Sequence, residues 1–191
     1  MSLIIQYASK FLLTFAILWI LGYLGYLAFK RRKPGKEAIH RIMLLAYLGA
    51  IFCITVLPKV DFGVYTQTGK PYFEILSRTN EMRGLNLIPF RTILEEITGI
   101  PGLAPEDWLP IAALNILGNL LLYVPVGFLL PRAYKKFAKL GTVLLFGLIL
   151  SCIFEILQYL FGGSADIDDV LVHLVGLAAG YGLGKLVKES L

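Results

Sequence analysis

Five runs of about 20 mostly apolar residues recur along a chain of 191 residues, and they leave it few ways to fold. A helix of that length rises about 30 Å, the thickness of a bilayer's hydrocarbon core. Lipid offers the backbone no hydrogen-bond partner, so each run must satisfy its own N–H and C=O groups as a helix. The runs predict helices at roughly 11–29, 42–57, 109–130, 142–161 and 170–187. Hydrophobic residues make up 57% of the chain and charged residues 16%, against about 45–50% and about 25% in soluble domains. The reading is an all-α polytopic membrane protein, a single domain over residues 1–191. Cys53 and Cys152 both fall inside apolar runs and read as small hydrophobes, not as a disulfide framework. The first run is longer than a signal-peptide core of about 7–15 residues. Its basic cluster, Lys30-Arg31-Arg32-Lys33, follows it, so it reads as a retained helix.

Charge orients the five helices. The loops at 30–41 and 132–139 and the tail from Lys185 carry twelve basic residues against two acidic ones. Lys10 and the segments 59–109 and 162–169 carry six against ten. Basic loops stay in the cytoplasm. This predicts a multi-pass topology with the N-terminus outside and the C-terminus cytoplasmic. The net charge of +5 belongs to those loops and implies no nucleic-acid partner.

The long outer connection has structure of its own. Gly69 between 60–66 and 72–76 suggests a short hairpin. In Asn86-Leu87-Ile88-Pro89-Phe90-Arg91, Pro89 suits a first helical turn. Phe90, Ile93, Leu94 and Ile97 follow at helical spacing, with Arg91, Glu95 and Glu96 on the other face and Gly99 as a stop. This predicts a short amphipathic helix, either on the outer membrane surface or packed as a lid on the bundle.

Polar residues converge in the same half of the membrane. Asn115 and Asn119 lie one turn apart on the third helix. Ser151, Glu155 and Gln158 share a face of the fourth, and Asp169 and His173 a face of the fifth, after the turn at Gly162-Gly163 and the acids Asp166 and Asp168. Buried acids and amides in lipid need partners, so the simplest arrangement is one polar pocket under the long loop. Each residue has a plainer role as well. The asparagines and His173 can join helices by hydrogen bonds, Glu155 can be a protonated structural acid, and Asp166 with Asp169 resembles a helix N-cap with its capping-box partner. Gly176, Gly180 and Gly184 read as a close-packing face. Two chemistries fit the pocket: acid–base work by Glu155 with Asp168 or Asp169, or oxygen and imidazole ligation of a divalent metal. No fixed metal spacing such as H-E-x-x-H is present.

Four segments in order resemble the VanZ-like family: Asn86-Leu87-Ile88-Pro89-Phe90; Asn119-x3-Tyr123-x-Pro125-x-Gly127-x3-Pro131; Ser151-x3-Glu155-x2-Gln158; and Asp166-x-Asp168-Asp169. They span residues 86–180, about half of the chain. The resemblance marks Asn86, Pro89, Phe90, Asn119, Pro125, Gly127, Glu155, Gln158, Asp166, Asp168, Asp169 and Gly176. Members are small polytopic bacterial membrane proteins, and the founding member is associated with resistance to teicoplanin, a lipoglycopeptide, rather than to vancomycin. Two positions depart from the pattern. Gly162-Gly163-Ser164 stands where the family usually has an arginine, and His173 where it usually has an asparagine. The lost guanidinium removes a bidentate partner for an anion; Arg83 or Arg91 could supply that charge.

Two functions fit. One is a binding module whose outer-leaflet pocket takes a membrane lipid, a lipid-linked cell-wall precursor or a lipoglycopeptide, with Asn86, Phe90, Arg91, Asn115, Asn119, Ser151, Gln158, Asp166 and His173 as contacts. The other is a membrane hydrolase or transferase acting on a lipid-linked envelope substrate through Glu155, Asp168 and Asp169. A third reading is an assembly partner of another membrane protein.

Overall fold

The computed structural model describes residues 3–57, 59–64, 68–76, 84–99 and 105–189. Its α-helices are α1 (Leu3–Lys30), α2 (Lys36–Thr55), α3 (Arg91–Thr98), α4 (Pro105–Ala133), α5 (Leu140–Leu160) and α6 (Ile167–Glu189). A 3-10 turn, Lys135–Phe137, links α4 to α5. Four short strands complete the order: β1 (Lys59–Val64), β2 (Pro71–Leu76), β3 (Leu85–Asn86) and β4 (Ala165–Asp166). Among the described residues, five helices contain stretches of 20 to 22 residues long and apolar enough to cross a membrane. The architecture is all-α and polytopic, as the apolar runs require.

Several boundaries differ from the sequence reading: α1 begins at Leu3 rather than near Phe11, and α4 at Pro105 rather than near Leu109. The second span starts at Lys36 rather than near Ile42, so His40 and Arg41 are helical. Polar and basic residues make good helix, and apolar content alone cannot mark where it begins. The third span runs through Pro131 to Ala133. A proline removes only its own N–H bond to the preceding turn, and in lipid other groups satisfy what it frees. Arg41 Nε donates to the Ala133 carbonyl, at the C-terminal end of α4, at 2.9 Å, and Tyr47 Oη donates to the Leu122 carbonyl, three residues before Pro125, at 3.0 Å.

The tightest packing joins α4 to α6. A Cβ on Gly176 would lie 2.2 Å from the Leu120 carbonyl oxygen, and one on Gly180 would lie 1.9 Å from that of Val124. From the other side, a Cβ on Gly127 would sit 2.1 Å from the Leu177 carbonyl. Only hydrogen fits at these crossings, so backbone meets backbone, the small-residue packing expected where lipid removes the usual hydrophobic drive. The buried core follows this seam: Leu44 and Ile51 of α2, Tyr123, Val126 and Leu130 of α4, Val143 and Phe154 of α5, and Leu177 of α6. α1 packs at the edge, on α2, through Phe11 and Phe15 set edge-on against Tyr47.

The basic ends of α2, α4 and α6 gather together. Arg132 donates to the Gly184 carbonyl, Tyr181 to that of Ala138, and Lys135 pairs with Glu37. The opposite end holds the two small sheets. β1 and β2 form the expected antiparallel hairpin, with Lys59 opposite Leu76 and Gly69 at φ 64° in the turn. β3 and β4 pair in parallel, Asn86 beside Asp166, and no sequence pattern predicts that pairing.

Candidate functional site

The end of α5 sets up the site. Gly162 adopts φ 90°, a conformation that favours glycine. The N–H of Gly163 then reaches the Gln158 carbonyl, and that of Gly162 the Tyr159 carbonyl. This is a Schellman ending, and it turns the chain back into β4. There the Asp166 N–H donates to Glu155 Oε2 at 2.9 Å. Asp166 also caps α6: its Oδ1 accepts the Asp168 N–H at 2.8 Å. It is therefore the expected N-cap, while Asp169 turns elsewhere and closes no capping box.

Three neighbouring acids, Asp166, Asp168 and Asp169, serve three directions. Asp168 is 2% exposed, and its carboxylate accepts the backbone N–H groups of Phe90, Thr92 and Ile93. It supplies the N-terminal cap that α3 lacks, since Phe90 offers no side-chain oxygen. Asp166 accepts from Asn86 Nδ2 and Thr92 Oγ1. Asp169 accepts from Asn119 Nδ2 at 2.7 Å. Successive side chains on a helix point about 100° apart, so one short acidic run holds the loop, the sheet and α4 at once.

The loop helix is the predicted one, but it starts at Arg91. Phe90 is its N-cap at φ 66°, so Pro89 lies ahead of the first turn rather than inside it. Phe90, Leu94 and Ile97 are exposed, and Leu87 and Ile88 extend that apolar surface. Thr92, Ile93 and Glu96 turn inward, so Ile93 leaves the apolar stripe. Glu96 accepts from Asn115 Nδ2. Burial raises the Glu96 carboxyl above its ordinary value; the Asn115 bond opposes this, and Asp166 and Asp168 nearby add to it. Arg91 faces outward and pairs with Glu95 at 3.0 Å, away from the acids. Arg83 lies outside the described residues.

Beneath this layer α2, α4, α5 and α6 enclose a cavity of about 20 Å³, room for about one water. Its polar lining is Thr55, Asn119, Tyr123, Glu155, Gln158, Asp169 and His173. Glu155 and His173 are buried. The His173 ring stacks on Tyr123, with centroids 3.8 Å apart, and its Nδ1 shares a 2.5 Å hydrogen bond with Ser151 Oγ. The Tyr123 hydroxyl is buried with Ser151 beside it, yet it makes no hydrogen bond of good geometry.

The structure thus divides the sequence candidates. Asn119, Glu155, Gln158, Asp169 and His173 meet at the cavity, with Ser151 behind His173. Asn86, Asp166, Asp168 and the Phe90 backbone tie down the loop, and Asn115 holds Glu96. Among the described residues no three His, Cys, Asp or Glu side chains are arranged to hold a metal ion. Sequence reasoning missed Tyr123 and Thr92 as site residues. Tyr123 lies one turn after Asn119, and Thr92 is the hydroxyl on the inward face of α3; helical spacing carried both signals.

Five membrane-length helices around a layer of acids and amides define a multi-pass membrane protein. The family described as VanZ/LLP1 matches residues 44–188, and the chain belongs to that family. It is 32% identical over 141 residues to Protein VanZ of Enterococcus faecium, covering 71% of this chain and 72% of that protein. No solved structure matches. The matched region takes in the whole polar layer and leaves out α1.

Proposed function

We propose that this protein binds the polar part of a lipid-linked envelope molecule or of a lipoglycopeptide, and thereby contributes to teicoplanin-type resistance. The observation that carries this reading is the cavity among four spans, where Asn119, Glu155, Gln158, Asp169 and His173 face a space of about 20 Å³. That space suits one small polar group, not a lipid, so the acyl chain lies outside it. The exposed apolar face of α3, with Phe90, Leu94 and Ile97, supports a place for that chain at the membrane surface. The distribution of basic residues supports an orientation with this end outside and the ends at Lys30 and Arg132 in the cytoplasm.

A second reading is a membrane hydrolase or transferase. It is favoured by two carboxylates, Glu155 and Asp169, on one cavity, with the Ser151–His173 pair behind them. Here Glu155 exchanges a proton with the substrate and Asp169 is its partner.

One experiment tests both. Wild type and Glu155→Gln are expressed at matched membrane levels in a sensitive Gram-positive host, with susceptibility to teicoplanin and vancomycin and the lipid-linked precursor pool measured together. Gln keeps an oxygen for the Asp166 N–H and removes the titrating group. Binding predicts teicoplanin protection with a precursor pool unchanged in both proteins, and protection weakened in Glu155→Gln as the cavity loses a charge. Catalysis predicts a pool change by wild type that Glu155→Gln abolishes. Wild type without teicoplanin protection refutes the resistance role.

A further inference from the structure

We propose that the cavity between α2, α4, α5 and α6 takes a primary ammonium group. This deepens the binding reading above and rests on it.

Three groups at the cavity are left without a full set of partners. Glu155 and Asp169 each have one oxygen engaged, Oε2 by the Asp166 N–H and Oδ1 by Asn119. Among the described residues, Glu155 Oε1 and Asp169 Oδ2 accept no hydrogen bond. Tyr123 is 1% exposed and lines the same space, and its hydroxyl, with Ser151 beside it, makes no hydrogen bond of good geometry. A buried hydroxyl without a partner costs about 1–3 kcal/mol, so a group missing from this space would restore its bond.

Charge and size narrow that group. No ion pair among the described residues reaches Glu155 or Asp169; the three present join Arg41 and Lys135 to Glu37, and Arg91 to Glu95. The basic ends of α2, α4 and α6 lie at the far end of the bundle. The cation that would balance these two carboxylates is not among the described residues. Divalent metal lacks three suitable ligands here. An –NH₃⁺ group is compact and brings three donors and no acceptor. Two carboxylate oxygens and the Tyr123 oxygen supply three acceptors. A space of about 20 Å³ admits a group of water size. A quaternary ammonium carries four carbon substituents and no N–H, so it is excluded on both size and hydrogen bonding.

The ammonium can belong to a lipid headgroup or to a soluble amine. The purified full chain is placed in nanodiscs of phosphatidylglycerol, alone or mixed equally with phosphatidylethanolamine or phosphatidylcholine. Lipids retained on the protein are counted by native mass spectrometry. In a parallel arm, thermal unfolding in phosphatidylglycerol discs is followed with ethanolammonium or tetramethylammonium chloride at equal ionic strength. The expected result is about a tenfold preference for phosphatidylethanolamine over both other lipids, the value of one charge-assisted hydrogen bond. Tyr123→Phe keeps the ring on His173 and loses only the hydroxyl; it and Asp169→Asn should reduce that preference towards parity. Stabilisation by ethanolammonium alone, lost in Tyr123→Phe, supports the ammonium site and makes its ligand a soluble amine. Equal retention of all three lipids, each sensitive to the variants, overturns the ammonium inference but leaves a lipid-binding cavity. No difference between wild type and both variants with any lipid or amine overturns the inference and the binding reading together.

Discussion

Phe90 gives its backbone N–H to Asp168, 78 residues further along the chain. The bond joins the head of α3 to the first turn of α6. With the Thr92 and Ile93 N–H groups on the same carboxylate, Asp168 does the work of an N-cap for a helix it does not belong to.

Removing that cap should release α3 without unfolding the spans. Asp168→Ala leaves three backbone donors without their acceptor, a loss of about 2 kcal/mol. Hydrogen exchange of residues 90–98 should then rise about 30-fold, while exchange in α4 and α6 stays as in wild type. Unchanged exchange in α3 would mean that the cap does not hold the helix.

The α4–α6 crossing should reject any added carbon. Gly180→Ala places a methyl 1.9 Å from the Val124 carbonyl oxygen as the helices stand, so they must separate. Overpacking of this kind costs about 1–3 kcal/mol. Gly182→Ala, on the same helix with nothing within 4 Å, is the control. Unfolding in mixed micelles should place Gly180→Ala well below wild type and Gly182→Ala near it.

The pH dependence of α3 docking should carry a contribution from Glu96. Burial raises its folded-state carboxyl above the ordinary range, so the folded protein holds this proton more tightly than the unfolded one. Stability from this group therefore falls as pH rises through the window just above that range. Glu96→Gln retains an oxygen for Asn115 and cannot titrate. Exchange of α3 measured against pH in both proteins should show a smaller loss of protection in the variant as pH rises.

The apolar face of α3 should meet lipid. Leu94→Trp puts an indole at an exposed position beside Phe90 and Ile97. Brominated lipids should quench it more strongly than a Trp at Glu95, which lies on the same helix in the ion pair with Arg91. Equal quenching would place α3 clear of the membrane surface.

Some of the site could be read before any fold was known. Glu155 stood out as an acid in an apolar run, and Asn119, Gln158 and His173 fell on helix faces that do meet at one cavity. Other parts could not. Asp166, Asp168 and Asp169 look equivalent as a cluster; their partners lie at Asn86, Phe90 and Asn119, at separations no local pattern reports. Pro89 looked like a first-turn residue, yet the helix begins after Phe90 because its cap comes from another segment.

The chain by itself determined the five spans, the turn at Gly162 and the amphipathic character of α3, because hydropathy, length and backbone conformation are local properties. Which carboxylate faces the cavity and which holds the loop was decided by the tertiary structure alone. The rotation of α6 about its axis is set where Gly176 and Gly180 press on the Leu120 and Val124 carbonyls. That contact turns Asp169 towards Asn119 and leaves Asp168 for α3.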